Sequence, residues 1–329
     1  VDMTQAMVGA SVLREAVGLA CRAPSLHNSQ PWRWVSDGSV LHLFADPMRI
    51  LLATDGSGRE VLLSCGAVLD HLRVAMTAAG WDAVIARFPE PHDPEHLATV
   101  SFAPMPTVTE AQRQRADAIL RRRTDRLPFA VPPEWDQIEG RLRLAVVPHQ
   151  VMSDVVLDCD RPRLAEASRL TETLRRSDPT YETELDWWTA ARASGDGVPG
   201  SALVSASEAG RTDIARTFRP ATYADRRVEV GADQSKIFVL STAHEDARSD
   251  VLRCGEALSA LLLECTLAGL ATCTLTHMTE LLPSREVVRA LIGQAGSPQL
   301  LVRVGVAPWL PPVPATPRRP LSETLRFDG

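Results

Sequence analysis

The chain is poor in lysine, in paired cysteines and in long apolar runs. Only Lys236 among its 35 basic residues is a lysine, so abundant arginine by itself carries little functional information. Six cysteines, at positions 21, 65, 159, 254, 265 and 273, make no C-x-x-C pair and no metal-ligand spacing. Cys65, Cys254 and Cys265 sit in apolar stretches and read as buried, reduced thiols. No apolar run reaches the roughly 18 residues of a membrane span. The first five residues lack the basic-then-apolar pattern of a signal peptide, so a cytoplasmic location is expected. A net charge of −6 gives no general attraction to nucleic acid or anionic membrane. Neither a G-x-S-x-G nor a Walker motif occurs, and Gly56-Ser57-Gly58 does not complete G-x-G-x-x-G. His92 and His96 have i,i+4 spacing, but Pro91 and Pro94 rule out the helix that a zinc pair would need. Trp187-Trp188 reads as core packing.

What is present is a chain of 329 residues, 45% hydrophobic and 23% charged, long enough for two domains or one bilobal unit. Helical periodicity marks Ser11–Arg22 with Ser11 as N-cap, Gly58–Gly80, Thr109–Arg123, Arg161–Arg176, Tyr181–Ala193, Cys254–Ala268 and a short helix from Ser284. Strands are expected at Trp32–Ser36 and Val40–Phe44 around an Asp37-Gly38-Ser39 turn, then at Asp82–Phe88, Leu97–Phe102, Lys236–Ser241, Leu270–Thr276 and Leu300–Val306. A proline-rich tail follows. Pro104-Met105-Pro106 is expected to divide the chain into halves 1–106 and 107–329, the second with a lid insertion around 161–225.

The two long apolar helices repeat each other. Cys65-Gly66-Ala67-Val68-Leu69 aligns without gaps to Cys254-Gly255-Glu256-Ala257-Leu258, and Thr77, Ala79 and Gly80 to Thr266, Ala268 and Gly269. Seven identities in sixteen positions point to a duplication, two halves packed through their central helices like a dimer fused into one chain.

Three stretches carry candidate chemistry. Pro24-Ser25-Leu26-His27-Asn28-Ser29-Gln30-Pro31-Trp32 crowds polar side chains between prolines, as a rigid binding loop or as a turn that caps itself. Arg122-Arg123-Thr124-Asp125-Arg126 alternates, so an extended segment puts Arg122, Thr124 and Arg126 on one face. That suits a phosphate or carboxylate, and equally a helix C-terminus answering its dipole. Thr272–His277 follows Gly269, a helix-ending glycine, as a small, hydroxyl-rich strand against which a flat ligand could lie. Arg318-Arg319 lies between prolines near the end.

Together these residues resemble the FMN-dependent nitroreductases. Pro24-Ser25-x-x-Asn28-Ser29-Gln30-Pro31-Trp32 is similar to their P-S-x-x-N-x-Q-P-W segment, and Arg122-x-Thr124-x-Arg126 to their R-x-[ST]-x-[RK]. Cys254–His277 resembles their central helix and flavin-facing strand. Leu301–Gly305 with Pro317–Leu321 resembles the closing strand and phosphate-contacting arginine. In those homodimers R-x-[ST]-x-[RK] comes first in the chain; here it comes second. This order, His27 and the Tyr181–Trp188 run resemble the Acg-like, dormancy-associated branch of fused pseudo-dimers.

The resemblance implies an α+β nitroreductase-like fold with central antiparallel sheets packed through buried long helices. It implies one FMN per chain, with NAD(P)H as reductant and a nitro or quinone acceptor. The flavin ligands it implies are Ser25, His27, Asn28 and Gln30 from the first half, and Arg122, Thr124, Arg126, Thr274, Leu275, Thr276, His277, Arg318 and Arg319 from the second. Thr276 or His277 would stand nearest the reactive edge. The alternative is a flavin-storage protein whose insertion, with Gly195-Asp196-Gly197-Val198-Pro199, covers the ring. No nucleic-acid or membrane partner is expected, and a monomer is preferred.

Overall fold

The computed structural model describes residues 7–190, 195–293, 296–311 and 314–328. The N-terminal residues inspected for a signal pattern, the end of the helix expected to reach Ala193, and Gly329 lie outside them. Helix α1 (Ala10–Ala20) leads into strands β1 (Trp32–Ser36) and β2 (Leu41–Ala45), long helix α2 (Arg59–Ala78), and strands β3 (Trp81–Arg87) and β4 (His96–Pro104). Helices α3 (Glu110–Arg121) and α4 (Trp135–Val146) precede β5 (Met152–Val155). Helices α5 (Arg161–Arg176), α6 (Pro179–Thr189) and α7 (Ala206–Gly210) then separate β5 from β6 (Lys236–Thr242). Long helix α8 (Arg248–Leu267), β7 (Ala271–Leu275), α9 (His277–Glu280), α10 (Leu282–Leu291), β8 (Ser297–Gly305), α11 (Leu321–Thr324) and β9 (Leu325–Phe327) complete the chain.

The fold is α+β, with two sheets. One has the order β3-β4-β2-β1-β9 and the other β5-β6-β8-β7. Read from one edge, β3-β4-β2-β1 matches β7-β8-β6-β5, every pair antiparallel. The long helix follows the second strand in each set and has 20 residues in both. Where the first set joins β1 to β2 by a tight turn, the second inserts residues 156–235. Strand β9 breaks the parity: it returns from the chain's end to lie parallel to β1, Trp34 opposite Leu325.

Helices α2 and α8 cross where neither has a side chain. A Cβ on Gly66 would fall 2.8 Å from Gly255 Cα, and one on Gly255 would fall 2.9 Å from Gly66 Cα. Closer still would be the Leu252 carbonyl oxygen to the first and the Leu63 carbonyl oxygen to the second. These pairs are equivalent under the alignment of the two helices, so the contact is reciprocal, as at a two-fold interface. One turn on, Ser259 Oγ bonds both Asp70, at 2.5 Å, and His71 Nδ1, at 2.8 Å. Helix α2 is long and apolar enough to cross a membrane, but 83% of that stretch is buried inside the protein, where it packs on α8 and both sheets.

Several bounds differ from expectation for local reasons. Ser11 lies inside α1, whose N-cap is Gly9, with no side-chain cap. Helix α8 starts at Arg248, before the apolar stripe, because its polar first turn faces outward. Helix α4 and strands β5 and β9 went unread: β5 and β9 have four and three residues, too few for a period to register.

The crossing sets a sharp stability contrast. Gly255→Val should cost about 3 kcal/mol or more. Gly140→Ala, in α4 with nothing within 4 Å of the new Cβ, should be neutral or gain up to about 1 kcal/mol. Urea unfolding of both variants checks this.

Candidate functional site

The opening loop is bent tightly. His27, Asn28 and Gln30 have φ of 48°, 58° and 51°, a left-handed run that costs of order 1 kcal/mol or more per non-glycine residue. Side-chain bonds hold it there. The Gln30 backbone N–H donates to Ser25 Oγ at 2.9 Å, and Leu26 N–H donates to Ser64 Oγ of α2 at 3.2 Å. Asn28 Nδ2 donates to the carbonyls of Gly197 and Pro317. Gln30 Nε2 donates to the Gly195 carbonyl at 2.9 Å, and its Oε1 accepts from Arg319 N–H at 3.0 Å. Gly195 and Gly197 both have positive φ, and a Cβ at either would strike the backbone of Arg318 or Trp188. Asn28 and Gln30 thus clasp the 195–197 loop and the C-terminal segment to the opening loop.

Two cavities, of about 730 and 700 Å³, adjoin along Pro24, Ser25, Thr124 and Arg126. The first is walled by Leu26 and His27, by Glu60 and Ser64 of α2, by Thr274, Leu275 and Thr276, and by α5 with the stretch 204–220. Strand β7 is an edge strand, bonded to β8 on one side only. Its other edge takes Asp125 N–H on the Thr272 carbonyl at 2.9 Å. By the two-residue period the Thr274 peptide groups point the same way, toward the cavity.

The second cavity is lined by arginines. Arg122 caps α3 in an extended conformation (φ −60°, ψ 132°), and Thr124 bridges to Thr272. The expected alternation does not separate the segment by cavity: Arg122, Arg123, Thr124, Asp125 and Arg126 all line the second cavity, and of these only Thr124 and Arg126 also reach the first. Asp125 spends its carboxylate on Arg227, at 2.8 Å. Arg122 is buried, donates among the described residues to the Arg22 carbonyl alone, at 3.4 Å, and leaves its Nε without a partner there. Arg126 reaches the Ala202 carbonyl, at 3.4 Å, and stacks on Phe218, 5.1 Å from the ring centre. Neither makes an ion pair with a carboxylate among the described residues. Burial, with Arg22 beside it, pushes Arg122 down to about 10. Burial, with Arg122 and Arg22 nearby, pushes Arg318 down to about 9. Buried guanidiniums so crowded call for an anion.

Not every expected ligand reaches a cavity wall. Arg318 lines the second cavity but spends its guanidinium on the Cys21, Arg22 and Ala23 carbonyls at the end of α1. Arg319 lies outside both, near Asp46 and Glu323, each at 3.6 Å. Gln30 also lies outside, used up by the clasp. His277 turns into the core as the first residue of α9, its Nε2 2.8 Å from Ser168 Oγ. His27 does reach the first cavity: both ring nitrogens are buried without partners, and its ring meets Phe218 edge-on at 5.7 Å. Burial, with Arg216 and Arg126, holds His27 well below the usual histidine range, so it is neutral.

The stretch 204–220 was not expected to matter beyond covering the site, yet it brings Arg216 to the wall. Arg216 pairs with Glu280, donates to Tyr181 Oη at 2.7 Å, and donates to Thr276 Oγ1 at 3.1 Å. Arg175 joins Glu280 at 3.2 Å and the carbonyls of Ala53 and Thr54, while Glu184 accepts from Thr54. This network fastens α5 and α6 to the start of α2. The Gly195–Val198 loop itself lies by the second cavity.

Comparison with known proteins now decides the family. A protein of Mycobacterium tuberculosis strain H37Rv, provisionally named NAD(P)H nitroreductase acg, is 58% identical over 324 residues, 98% of each chain. The chain belongs to the nitroreductase family. A second M. tuberculosis relative, named as an uncharacterized protein, is 56% identical over 321 residues, 96% of this chain and 93% of its own. A solved nitroreductase-fold structure from Anabaena variabilis superposes with a TM-score of 0.50 at 9% identity, covering 91% of this chain and 88% of that one, and supports the fold alone. No protein-family model matches the chain.

Buried neutral histidines predict an acid limit for this nitroreductase. Burial, then Arg216, lowers His277 to about 3. The unfolded chain takes up a proton below about 6.5, so His277's contribution is full above that pH and is lost as pH falls toward 3. Urea unfolding between pH 7 and 4 should show a shallower loss for His277→Gln than for wild type.

Proposed function

We propose that this chain is an FMN-dependent NAD(P)H nitroreductase holding one FMN across the two adjoining cavities. The observation that carries the reading is a pair of arginines, buried Arg122 and half-buried Arg126, with no carboxylate partner among the described residues, at the end of an edge strand beside the cavity. A flavin mononucleotide fits both features: its phosphate answers the charge, and its planar ring suits the strand. Arg122, with Ser25 at the same wall, would hold the phosphate; Asn28 would shape the loop there, and Arg318, bonded to the end of α1, would add positive charge nearby. Arg126 and Thr124 stand at the junction of the cavities, and Thr274 to Thr276 flank the ring's place. Neutral His27 can offer one N–H and one lone pair to the ring's polar edge. Arg319, Gln30 and His277 would act indirectly, by holding the loops and the floor.

FMN, when bound, would supply the hydride-transfer chemistry between NAD(P)H and an acceptor. The chain's own part is to orient the ring, neutralise the phosphate and exclude water with α5 and the stretch 204–220. The acceptor class is nitro or quinone, small enough for the first cavity.

The two halves read as a duplication divided near residue 106, with residues 156–235 inserted in the second. The matching strand orders and the reciprocal glycine contact support this, while β9 ties the second half back to the first. A fused pair has both sides of its site in one chain, so a cytoplasmic monomer is the assembly proposed. Turnover is preferred to flavin storage because the relatives are provisionally named for NAD(P)H-dependent reduction.

The purified protein should carry flavin absorbance at one FMN per chain, and Arg122→Ala with Arg126→Ala should reduce FMN content at least tenfold. Unchanged content would remove the basis of the proposal. Stopped-flow mixing with NADPH should bleach the bound flavin; negligible bleaching at millimolar NADPH would turn the reading to storage.

A further inference from the structure

Helix α5 brings Glu172 to the wall of the first cavity. The residue is 6% exposed. Its Oε2 accepts from Thr217 N–H at 2.9 Å, and its Oε1 is buried with no partner. No ion pair reaches it among the described residues. Arg216 is already committed to Glu280, Tyr181 Oη and Thr276 Oγ1. Two carboxyls now face one guanidinium, and only Glu280 is in contact with it. The other gains most by keeping its proton. Burial is the largest influence and pushes Glu172 up. Arg216, Thr217 N–H and Arg176 oppose it, and Glu280 adds to it. The Tyr181 phenol, raised by its own burial, stays neutral beside the group.

We propose that Glu172 is a neutral carboxylic acid that donates its proton to the acceptor's oxygen during reduction in the first cavity. The proposal rests on the reading of that cavity as the place of reduction. The balance is simple. NAD(P)H, one proton and a quinone give NAD(P)⁺ and a hydroquinone; a nitro group gives a nitroso group and water by the same count. The acceptor gains two electrons and one hydrogen as a hydride equivalent. Its new O–H bond takes the other hydrogen as the proton from Glu172, whose own O–H bond breaks. The carboxylate left behind keeps its bond from Thr217 N–H and feels the nearby charge of Arg216, and solvent restores its proton between turnovers. Placed on α5, the acid is supplied by the inserted stretch, which would then contribute chemistry as well as cover.

Glu172→Gln keeps an oxygen for Thr217 and removes the acid. Infrared spectra of the full chain at pH 7 should contain a protonated-carboxyl band that is missing from the variant. No such difference overturns the proposal, while FMN content of the same samples tests the cofactor reading separately. With FMN loaded and reduced beforehand, reoxidation by a quinone should slow about a hundredfold or more in the variant. The wild-type decline at high pH should vanish with it. Glu172→Asp, an acid on a shorter arm, should restore the pH dependence and part of the rate. A wild-type rate and pH profile in Glu172→Gln would overturn the assignment.

Discussion

The crossing of the two long helices at Gly66 and Gly255 is the contact from which the architecture follows. Two glycines let the backbones approach until each blocks any side chain on the other. Helix α2 carries the first sheet and α8 the second, so the separation at this point sets how close the sheets come. Ser64 on α2 then supports the opening loop, while α8 runs directly into edge strand β7. A wider crossing would part the loop from the strand, and neither half has both walls of the site.

Around this frame, charge is placed unevenly. Most buried arginines have a carboxylate: Arg303 with Asp233 at 2.7 Å, Arg227 with Asp125, Arg216 with Glu280. Breaking any such pair strands a buried charge, a loss of about 3–5 kcal/mol. These pairs fasten the inserted stretch to β8, α9 and the segment after α3. Against that background, Arg122 is the buried arginine with no carboxylate partner among the described residues, and half-buried Arg126 beside it has none either. Guanidiniums left so at a cavity wall suit an anionic ligand.

Much of this was legible beforehand, and the physical reasons differ by element. The helix repeat was readable because a close crossing admits so few residue types that Cys-Gly stands at the contact in both helices. The segment Arg122 to Arg126 was legible because guanidiniums around a hydroxyl suit an anion whatever the tertiary structure, although Arg123 and Asp125 line the same cavity, which alternation alone did not foresee. Asn28 and Gln30 were legible as important, but not their protein partners: they clasp Gly197, Pro317 and Gly195, residues far away in the chain. Their roles needed the left-handed backbone of the loop, which nothing local dictates. His277 was displaced because α9 begins there and turns its ring toward Ser168. Arg216 and Glu172 carried no signal, since one belongs to an irregular stretch and the other to an ordinary amphipathic helix. Only convergence in space gives them neighbours worth noticing.

The central claim is that Arg122 and Arg126 are kept unpaired for a phosphate. Titrating flavin-free protein with FMN and with riboflavin tests this most directly, because the two ligands share a ring and differ only in that group. Two charge-assisted bonds at about 1.5–3 kcal/mol each predict that FMN binds at least about a hundredfold more tightly than riboflavin. Equal affinities would contradict the account.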